Sequence, residues 1–471
     1  MTLSFTESPP YWTHGREITL AELLDAREEH WHRQLKLTAQ YRQTLICLTL
    51  NIPGPVKSFP LARLTFDAGM LAIERELSRH QCRIAYRESC HGGWGFQGIF
   101  LTEQDASDCK KWMVNIEETH PLGRIWDIDV LNAQGEKLSR DGTGYPRRAC
   151  LLCSRPAFVC GRSRRHSARE LLEREISLMK TYFSRQLAEQ TAGLFTKAMI
   201  YEVTTTPKPG LVDRWHNGAH KDMDIGTFID SAAALFPYYQ ECALRGISFH
   251  GSDYPALFAA IRPLGLEAEQ TMYQAARHAN PHKGLIFSGG IFCAAAAHCY
   301  AKRGDFRHED ISAICKKMLP DLSKDFEALS HGQPQTHGEK LYRAYHLLGI
   351  RGEAMRGYPT VFGWGWNVFT TCRSHGFPLY KSGQITLLYL IAHSEDTNII
   401  ARSSYETWDR LTRKLKNFLA SVPIDQLDAE TITARLDAYF MKENISPGGS
   451  ADLLALVYFL YFLRQWQPVI E

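Results

Sequence analysis

The sequence ARELLEREISLMKTYFSRQLAEQTAGLFTKAMIYEV, residues 168–203, decides the fold. Its apolar residues recur at helical spacing without a proline, so it predicts one continuous helix. Helical and strand-like patterns alternate before it, whereas only helical patterns recur after it. We therefore predict a multidomain protein in which residues 1–180 form an N-terminal α+β domain with a small mixed sheet. Residues 181–471 form a C-terminal all-α domain, and the join lies inside or beside the long helix.

The length and composition agree with two folded domains. The chain has 471 residues, more than one compact core usually supports. Hydrophobic residues make up 44% and charged residues 22%, which is typical of globular proteins and argues against long disordered stretches. The 54 basic and 51 acidic residues nearly balance, so we expect neither a nucleic-acid partner nor a membrane surface.

Three features predict a cytoplasmic protein. Residues 1–19 lack an apolar run, so we expect no signal peptide. The longest apolar run, residues 453–463, is shorter than the roughly 20 residues that a membrane span needs, and we predict a buried helix there. The 12 cysteines, in a chain without a signal peptide, are expected to be reduced thiols rather than a disulfide framework.

Turn signals divide the first domain into short elements. Asn51-Ile-Pro-Gly-Pro55 closes one apolar run, and residues 132–135 form a hairpin turn after another. The predicted helices are residues 20–45 and 66–80, and the predicted strands are residues 46–50, 98–101 and 125–131.

Two carboxylates lie in the last of these strands, in Trp126-Asp127-Ile-Asp129-Val. Alternate residues of a strand project from the same face, so Asp127 and Asp129 should lie close enough to share a divalent cation. Mg²⁺ held by two carboxylates and by substrate phosphates suits phosphoryl or nucleotidyl transfer. The alternative is an ordinary exposed strand face, which the apolar neighbours of the pair and the arginines that follow it disfavour.

A basic segment follows within about 20 residues of these carboxylates. Residues 147–169 contain seven arginines and no acidic residue, a composition that suits a local site for anions. A solvated basic face is an equally good interpretation.

The same segment contains three cysteines and a histidine at short spacings. Cys150, Cys153, Cys160 and His166 have the residue types that close a tetrahedral Zn²⁺ site. The spacing is not a repeated C-x2-C pair, so reduced thiols in a helix-packed turn, with His166 as a packing or anion-contacting residue, remain the alternative.

Three segments together resemble the holo-acyl-carrier-protein synthase of citrate lyase. They are Asn51-Ile-Pro-Gly-Pro-Val-Lys57, Asp127-Ile-Asp129-Val, and Pro146-Arg-Arg-Ala-Cys-Leu-Leu-Cys153 continuing to Arg162-Ser-Arg-Arg-His166. The resemblance covers about residues 15–178. That family is a nucleotidyltransferase that moves a 2'-(5''-phosphoribosyl)-3'-dephospho-CoA group from its triphosphate donor onto a serine of the citrate lyase acyl carrier protein, the gamma subunit, with release of pyrophosphate.

This resemblance implies roles for the charged residues. Asp127 and Asp129 would be the catalytic ligands of Mg²⁺, while the serine nucleophile comes from the partner. The cations for the triphosphate would be Lys57, Arg147, Arg148, Arg162, Arg164 and Arg165.

The second domain has nine helical stretches, and most of its distinctive polar residues lie in the loops between them. These stretches are residues 226–245, 255–278, 284–302, 308–320, 338–349, 384–392, 405–420, 427–440 and 450–464.

The loop before the first of these helices is rich in polar groups. It contains Lys208 on a Pro-Gly turn, and Asp222 and Asp224 where a helix N-cap would lie. Capping explains either aspartate alone, but not both together with the other polar groups, so a site for a metal–nucleotide complex is preferred. Asp213, Asn217 and His220 are further polar groups of this loop.

Four later loops carry similar groups. His282 and Lys283 precede an apolar helix, and Asp396 and Asn398 offer oxygen ligands. Glu353 and Arg356 lie three residues apart, where a surface ion pair is an equally good interpretation. The glycines of residues 446–452, Gly448 and Gly449, would expose backbone N–H groups to a phosphate, although a plain helix start is as common.

Together these loops closely resemble triphosphoribosyl-dephospho-CoA synthases, over about residues 190–465. The segments are Lys208-Pro-Gly-Leu-Val-Asp213, Asn217-Gly-Ala-His220-Lys-Asp222-Met-Asp224, His282-Lys-Gly284, Gly352-Glu-Ala-Met-Arg-Gly357, Asp396-Thr-Asn398 and Pro447-Gly-Gly-Ser-Ala-Asp452. Those enzymes join the triphosphoribosyl unit of ATP to the 2'-hydroxyl of 3'-dephospho-CoA and release adenine. One departure is Ser403-Ser404, where the family has a Gly-Gly pair.

The resemblance also implies roles in this domain. Displacement of adenine builds oxocarbenium character, which calls for a base and an acid, and Glu353 or His220 would transfer the proton. Asp222, Asp224 and Asp396 would bind Mg²⁺. The triphosphate would contact Lys208, Lys283 and Arg356.

The main hypothesis is therefore a bifunctional enzyme that makes the citrate lyase prosthetic-group precursor and attaches it. One alternative is a zinc-containing nucleotide- or RNA-binding protein with a helical scaffold. Another keeps the synthase but makes the first domain a docking module for the acyl carrier protein.

Overall fold

A computed structural model describes residues 11–141, 144–319 and 337–466. The chain divides into two compact units at residue 184, inside a long helix. The predicted boundary at residue 180 lies in the same helix, α5, which extends over Ala168–Thr204 as the pattern of residues 168–203 predicts.

The first unit combines four strands with helices. Helix α1 begins after a capping box, in which Thr19 accepts a hydrogen bond from the Glu22 N–H group and Glu22 returns one. It ends at Tyr41, four residues before the predicted end, because Thr44 already belongs to a strand. The elements are α1 Leu20–Tyr41, β1 Thr44–Leu50, α2 Pro60–Arg79, β2 Ile84–Gly92, β3 Gly95–Thr102, α3 Ala106–Thr119, β4 Trp126–Leu131 and α4 Ala157–Ser163.

The sheet has the strand order β2-β3-β1-β4, and every pairing is antiparallel. The predicted mixed sheet is therefore wrong. The missed strand is β2, whose residues alternate between half-buried and exposed and include Arg87, Glu88 and Ser89. Such an edge strand lacks the apolar run that predicts the other strands, yet it forms the hairpin with β3.

Two apolar layers sandwich this sheet. One face packs against α2, α3 and the start of α5 through buried residues such as Phe66, Phe100 and Trp126. Part of the other face packs against α1 through Leu37, Leu45 and similar side chains. Polar side chains also lie on this second face, where Asp129 and Asp127 of β4 lie opposite Cys47 and Thr49 of β1.

In the described residues of the second unit, every regular secondary-structure element is a helix. The predicted helix 226–245 is two helices, which meet at Leu235 ahead of Pro237. Its helices are α6 Ile225–Ala234, α7 Phe236–Ser248, α8 Tyr254–Ala275, α9 Lys283–Arg303, α10 His308–Met318, α11 His337–Tyr345, α12 Gly349–Met355, α13 Trp366–Ser374, α14 Leu379–His393, α15 Thr397–Arg402, α16 Tyr405–Ser421, α17 Ala429–Lys442 and α18 Gly448–Gln465. Residue 320 of the predicted helix 308–320 lies outside the described residues.

Two apolar helices form the centre of this unit. Residues 453–463 of α18 are all buried, which confirms the prediction of a buried helix. Helix α9 is long and apolar enough to cross a membrane by length and composition, but 83% of its most apolar window is buried within the protein. Its composition is accounted for by packing in the core.

Candidate active sites

Asp127 and Asp129 lie on the outward face of β4. Trp126 and Ile128 alternate with them and point into the core, where the Trp126 indole N–H donates to the Thr65 carbonyl over 2.9 Å. Asp127 is exposed, and Lys137 contacts Asp129 at 2.6 Å from the far side of the hairpin turn. The predicted common face is confirmed by the burial pattern of the strand.

The outer edge of β4 has no neighbouring strand; the Leu138 N–H group donates to the Val130 carbonyl at 2.8 Å, and side chains satisfy the rest of the edge. The Glu117 carboxylate accepts the Ile128 N–H group at 2.9 Å, and Lys110 donates to the Ile128 carbonyl at 3.1 Å. Arg148 donates to the Trp126 carbonyl at 3.1 Å and pairs with Glu117. These buried bonds satisfy an unpaired strand edge and fix one arginine next to Asp127.

Burial shifts the pKa of two of the charged groups that hold this edge. It raises the pKa of Glu117, an effect that the Arg148 cation opposes. It lowers the pKa of Lys110, which the negative charge of Glu117 partly offsets.

Four arginines surround an open cavity of about 460 Å³ in the first unit. The guanidinium groups of Arg147 and Arg162 lie 5.7 and 6.0 Å from the centre of the Phe158 ring. Three of the arginines predicted to bind phosphate therefore come together. The cavity is lined by Arg140, Arg147, Arg148, Ala157, Phe158 and Arg162.

The other predicted cations of this unit lie elsewhere. Arg164 and Arg165 are exposed after the end of α4 and do not line the cavity. Lys57 donates to the Ile52 carbonyl and stabilises its own turn, and burial lowers its pKa. Arg140 was missed because it precedes the arginine-rich segment in the sequence.

The predicted Cys/His group is also brought together. The ligand atoms of Cys150, Cys153, Cys160 and His166 lie within 4.8 Å of one another. In the part of the chain that the structure describes, this is the only group of three or more His, Cys, Asp or Glu side chains close enough to share a metal ion.

The centre of the second unit contains a buried ion pair. The Lys208 ammonium group lies 2.5 Å from Glu202, and the two side chains are only 1% and 5% exposed. Burial raises the pKa of Glu202, against the effect of Lys208. Glu202 was missed as a site residue because it lies in the helical pattern of α5, ahead of the polar loop.

The positive charge of Lys208 contributes to lowering the pKa of two histidines, His282 and His220. The His282 ring contacts the Ser231 hydroxyl at 2.8 Å, its Nε2 atom has no partner, and burial lowers its pKa to about 3. His220 contacts Ser446 at 2.8 Å and Arg402 at 3.2 Å. Burial, and then the Arg402 cation, lower the pKa of His220 to about 4, so both imidazoles are neutral at pH 7.

The loop around Lys208 is organised by Asp213. This buried carboxylate accepts N–H groups from Lys208 at 3.0 Å and from Trp215 at 2.7 Å. Its oxygens are therefore used by the loop itself. Asn217 is exposed in the turn that follows.

The three aspartates predicted to bind Mg²⁺ in this unit do not come together as one metal-binding group among the described residues. Asp224 is the N-cap of α6 and accepts the Thr227 N–H group at 2.9 Å. Asp222 is exposed, with a side chain that is 63% accessible. This donor set does not fit a shared magnesium ion.

Asp396, the third of them, ties two helix N-termini together. One of its oxygens accepts the Asn398 N–H group at 3.0 Å, and the other accepts both the N–H and hydroxyl groups of Ser450 at 2.7 Å. Added Cβ atoms on Gly448 and Gly449 would lie 2.8 Å from Asn398 and 3.2 Å from Asp396. The glycines thus permit close approach of an internal carboxylate to the start of α18.

The remaining predicted residues of this unit each contact a different partner. Glu353 is buried and bonded to the N–H and hydroxyl groups of Thr360, and burial raises its pKa. Arg356 lies 3.7 Å from Glu395 and not in an ion pair with Glu353. Lys283 pairs with Glu269 at 2.9 Å and is half exposed.

Asp452, the fifth residue of α18, is a further candidate. Burial and the nearby carboxylates of Glu202 and Asp396 raise its pKa well above the usual range. A Cβ atom on Gly284 would lie 2.4 Å from its carboxylate, so the start of α9 faces it closely. Asp452 lies in a recognised motif, but its position after two glycines pointed only to a helix start.

Comparisons with known proteins agree with both halves. The CitX model, apo-citrate lyase phosphoribosyl-dephospho-CoA transferase, matches residues 18–182, and the CitG model, ATP:dephospho-CoA triphosphoribosyl transferase, matches residues 188–470. The chain is 32% identical over 468 residues to Protein CitXG of Haemophilus influenzae, covering 96% of this chain and 97% of that protein. It is equally identical, over 96% of this chain and 98% of the relative, to Protein CitXG of Leuconostoc mesenteroides subsp. cremoris.

A relative with one of the two functions also matches. The 2-(5''-triphosphoribosyl)-3'-dephosphocoenzyme-A synthase of Haemophilus ducreyi is 34% identical over 330 residues, which is 66% of this chain and 99% of the relative. A nucleic-acid-binding protein or a non-catalytic docking domain is not favoured by these matches. The chain belongs to the CitXG family of transferases, in which an apo-citrate lyase phosphoribosyl-dephospho-CoA transferase is fused to an ATP:dephospho-CoA triphosphoribosyl transferase.

Proposed function

We propose that the two units catalyse consecutive reactions. The second unit joins the triphosphoribosyl unit of ATP to the 2'-hydroxyl of 3'-dephospho-CoA and releases adenine. The first unit then transfers the phosphoribosyl-dephospho-CoA group to a serine of the citrate lyase acyl carrier protein, the gamma subunit, and releases pyrophosphate. Fusion raises the local concentration of the intermediate for its consumer.

The observation that supports the first unit's reaction is the connection between its carboxylates and its arginines. Arg148 binds the Trp126 carbonyl, one residue before Asp127, and also lines the arginine cavity. A triphosphate in that cavity would therefore lie near the outward face of β4. Positioned cations that neutralise a leaving pyrophosphate are the main requirement of such a transfer.

Asp127 and Asp129 fit a magnesium site in this unit. They supply two carboxylates on one strand face, which is the number that Mg²⁺ commonly takes from a protein when phosphates complete its shell. When bound there, the ion would neutralise the phosphates and stabilise the leaving group. Lys137, 2.6 Å from Asp129, balances the charge of the pair.

In the second unit we propose that Asp452 accepts the proton of the 2'-hydroxyl group. Its neighbours Glu202 and Asp396 already have partners, Lys208 and Ser450 respectively. Burial and like charge raise the pKa of this carboxyl group, and a carboxylate of raised pKa is a stronger base than an ordinary aspartate. Glu353 and His220 are the other candidates, but Thr360, and Ser446 with Arg402, already engage them.

Asp127→Asn should lower the transfer to the acyl carrier protein by about 10²–10³-fold, because one of the two carboxylates that would hold Mg²⁺ at the reacting phosphates is lost. Adenine release should be unchanged, since it belongs to the other unit. The measurements are the mass gain of apo acyl carrier protein and free adenine, in one reaction. Asp108→Asn is the control, because Asp108 is an exposed carboxylate of α3 that pairs with Lys111. Transfer at the wild-type rate in Asp127→Asn would disprove the assignment.

Arg162→Gln should raise the KM for the triphosphate donor about tenfold or more, because a charge-assisted hydrogen bond contributes roughly 1.5–3 kcal/mol. Arg162 is exposed, so its loss should leave stability nearly unchanged. Steady-state transfer kinetics with the purified intermediate give the KM. Arg155→Gln is the matched control, since Arg155 is an exposed arginine of the same segment that does not line the cavity. Equal KM values for the two variants would argue against a phosphate site there.

The complete proposal is tested by incubating the protein with ATP, 3'-dephospho-CoA, Mg²⁺ and apo acyl carrier protein. We expect free adenine, pyrophosphate and a mass gain of the carrier. Adenine without the mass gain would leave only the second reaction standing. A mass gain that requires added intermediate would leave only the first.

A further inference from the structure

The Cys/His group of the first unit has the geometry of a closed metal site. The Cys153 and Cys160 sulfur atoms lie 3.5 Å apart, and His166 Nε2 lies 3.4 Å from the Cys153 sulfur. Tetrahedral zinc, with Zn–S of about 2.3 Å and Zn–N of about 2.0–2.1 Å, places its ligand atoms about 3.5–3.8 Å apart. A disulfide would need about 2.05 Å between the sulfurs. The distances therefore match metal ligands and not a cross-link.

The backbone holds the four side chains in position. Cys150 N–H donates to the Arg155 carbonyl at 2.7 Å, and Ala157 N–H donates to the Arg148 carbonyl at 2.9 Å, which closes a short hairpin around Cys153. The Leu152 N–H group points at the Cys150 sulfur over 3.5 Å, a bond that stabilises a thiolate.

The remaining two ligands come from the other side of the loop. Cys160 is the buried residue of α4, and His166 follows the left-handed Arg164 that ends this helix. The donor set is three sulfurs and one nitrogen. This set selects zinc over Mg²⁺ or Ca²⁺, which prefer oxygen ligands.

We propose that Cys150, Cys153, Cys160 and His166 bind one structural Zn²⁺ ion. Four protein ligands complete a tetrahedral shell, so the ion has no open position for a substrate. Its role is to join the hairpin to α4.

This join positions the arginine cavity, a role that rests on the proposed function of the first unit. Arg147 and Arg148 immediately precede the hairpin, while Phe158 and Arg162 lie on α4. The two sides of the cavity are therefore connected through the metal ligands. Loss of the ion should separate the arginines that we assign to the triphosphate.

The metal is tested on the full chain, purified without chelators or metal-affinity resin. Elemental analysis should give one zinc ion per chain. Co²⁺ in its place should show the visible absorption of tetrahedral cobalt and the near-ultraviolet charge transfer of thiolate ligands. Cys153→Ser should lose the ion, whereas Cys82→Ser, a half-buried cysteine outside the group, should keep it. His166→Cys, which supplies a fourth sulfur, should also retain it, and this separates ligand loss from misfolding.

Three results would overturn the site: less than stoichiometric zinc after growth with added zinc, zinc retained by Cys153→Ser, or a Cys153–Cys160 disulfide in non-reducing peptide mapping of freshly prepared protein.

The positioning role has its own readout. A zinc-selective chelator, used with excess Mg²⁺, should lower transfer to the acyl carrier protein on the order of a hundredfold, as expected when binding groups are displaced by about 1 Å. Adenine release should not change, and added zinc should restore transfer. Unchanged transfer by a zinc-depleted enzyme would overturn the positioning role. A zinc-loaded chain that never transfers the group would instead contradict the proposed function, since its metal content is measured separately.

Discussion

Lys208→Met should lower adenine release by 10²–10³-fold or more, and should reduce the free energy of unfolding by about 3–5 kcal/mol. The stability loss follows because the substitution leaves the Glu202 carboxyl group without its partner in the core, where both side chains are almost completely buried. The activity loss follows because Lys208 is the cation that balances the carboxylates around the proposed 2'-hydroxyl site. Urea unfolding and an adenine assay measure the two effects.

A double variant separates folding from catalysis. In Glu202→Leu/Lys208→Met both charges are replaced by apolar side chains, which is often neutral or stabilising for a buried ion pair. We expect much of the lost stability to return, with no recovery of adenine release. Recovery of both would show that the pair is only structural. Lys414→Met, at an exposed lysine of α16, is the control and should change neither property.

Long, uninterrupted patterns could be predicted from the sequence. Residues 168–203 and 453–463 form helices because many neighbouring positions agree on one periodicity. Strand β2 was missed because its alternation is between partly buried and exposed polar side chains. The break between α6 and α7 depends on one proline in an otherwise helical pattern. Whether such a segment forms a strand, or such a helix breaks, depends on its tertiary packing, which the local sequence pattern does not contain.

Charged residues were harder to assign, because capping and metal binding use the same side chains. Asp224 and Asp396 lie at helix N-caps, where their oxygens accept backbone N–H groups. Neither the spacing nor the residue type distinguishes that role from a magnesium ligand. Glu202 and Asp452 lie 250 residues apart, so only folding brings their charges together.

The Cys150–His166 segment shows the opposite case. Its three cysteines and one histidine lie within 17 residues of one another, so the sequence alone predicts the group, and the bend of a single loop brings the four side chains together. The same holds for Arg147, Arg148 and Arg162, which line one cavity. Arg140 joins them from outside the segment, and no local pattern indicates it.

Asp452→Asn should strongly lower adenine release while stabilising the protein at neutral pH. The loss of a general base costs about 10²–10⁴-fold. The gain in stability follows because the folded state places this carboxyl group near Glu202 and Asp396, where burial and like charge oppose its ionisation. An amide of the same shape avoids that cost.

The pH dependence has a definite sign. The pKa of Asp452 is raised in the folded state, so the folded chain holds a proton that the unfolded chain releases near pH 4. The free energy of unfolding should therefore fall as pH rises from about 4 toward the folded-state pKa, and Asp452→Asn should flatten part of this slope. Adenine release needs the ionised form and should rise over the same range, with an inflection above the usual range for aspartate.

Asp230→Asn, an exposed aspartate of α6, is the control for both measurements. Gly284→Ala offers an independent test, because its added methyl group would lie against the Asp452 carboxylate and should displace it without changing any charge. We expect this variant to lose adenine release as well.

An active Asp452→Asn enzyme would exclude the base assignment and would make Glu353 the next candidate. An Asp452→Asn enzyme that is inactive and less stable at pH 7 would mean that the carboxylate stabilises the core, since a group whose ionisation is opposed by folding must have the reverse effect on stability.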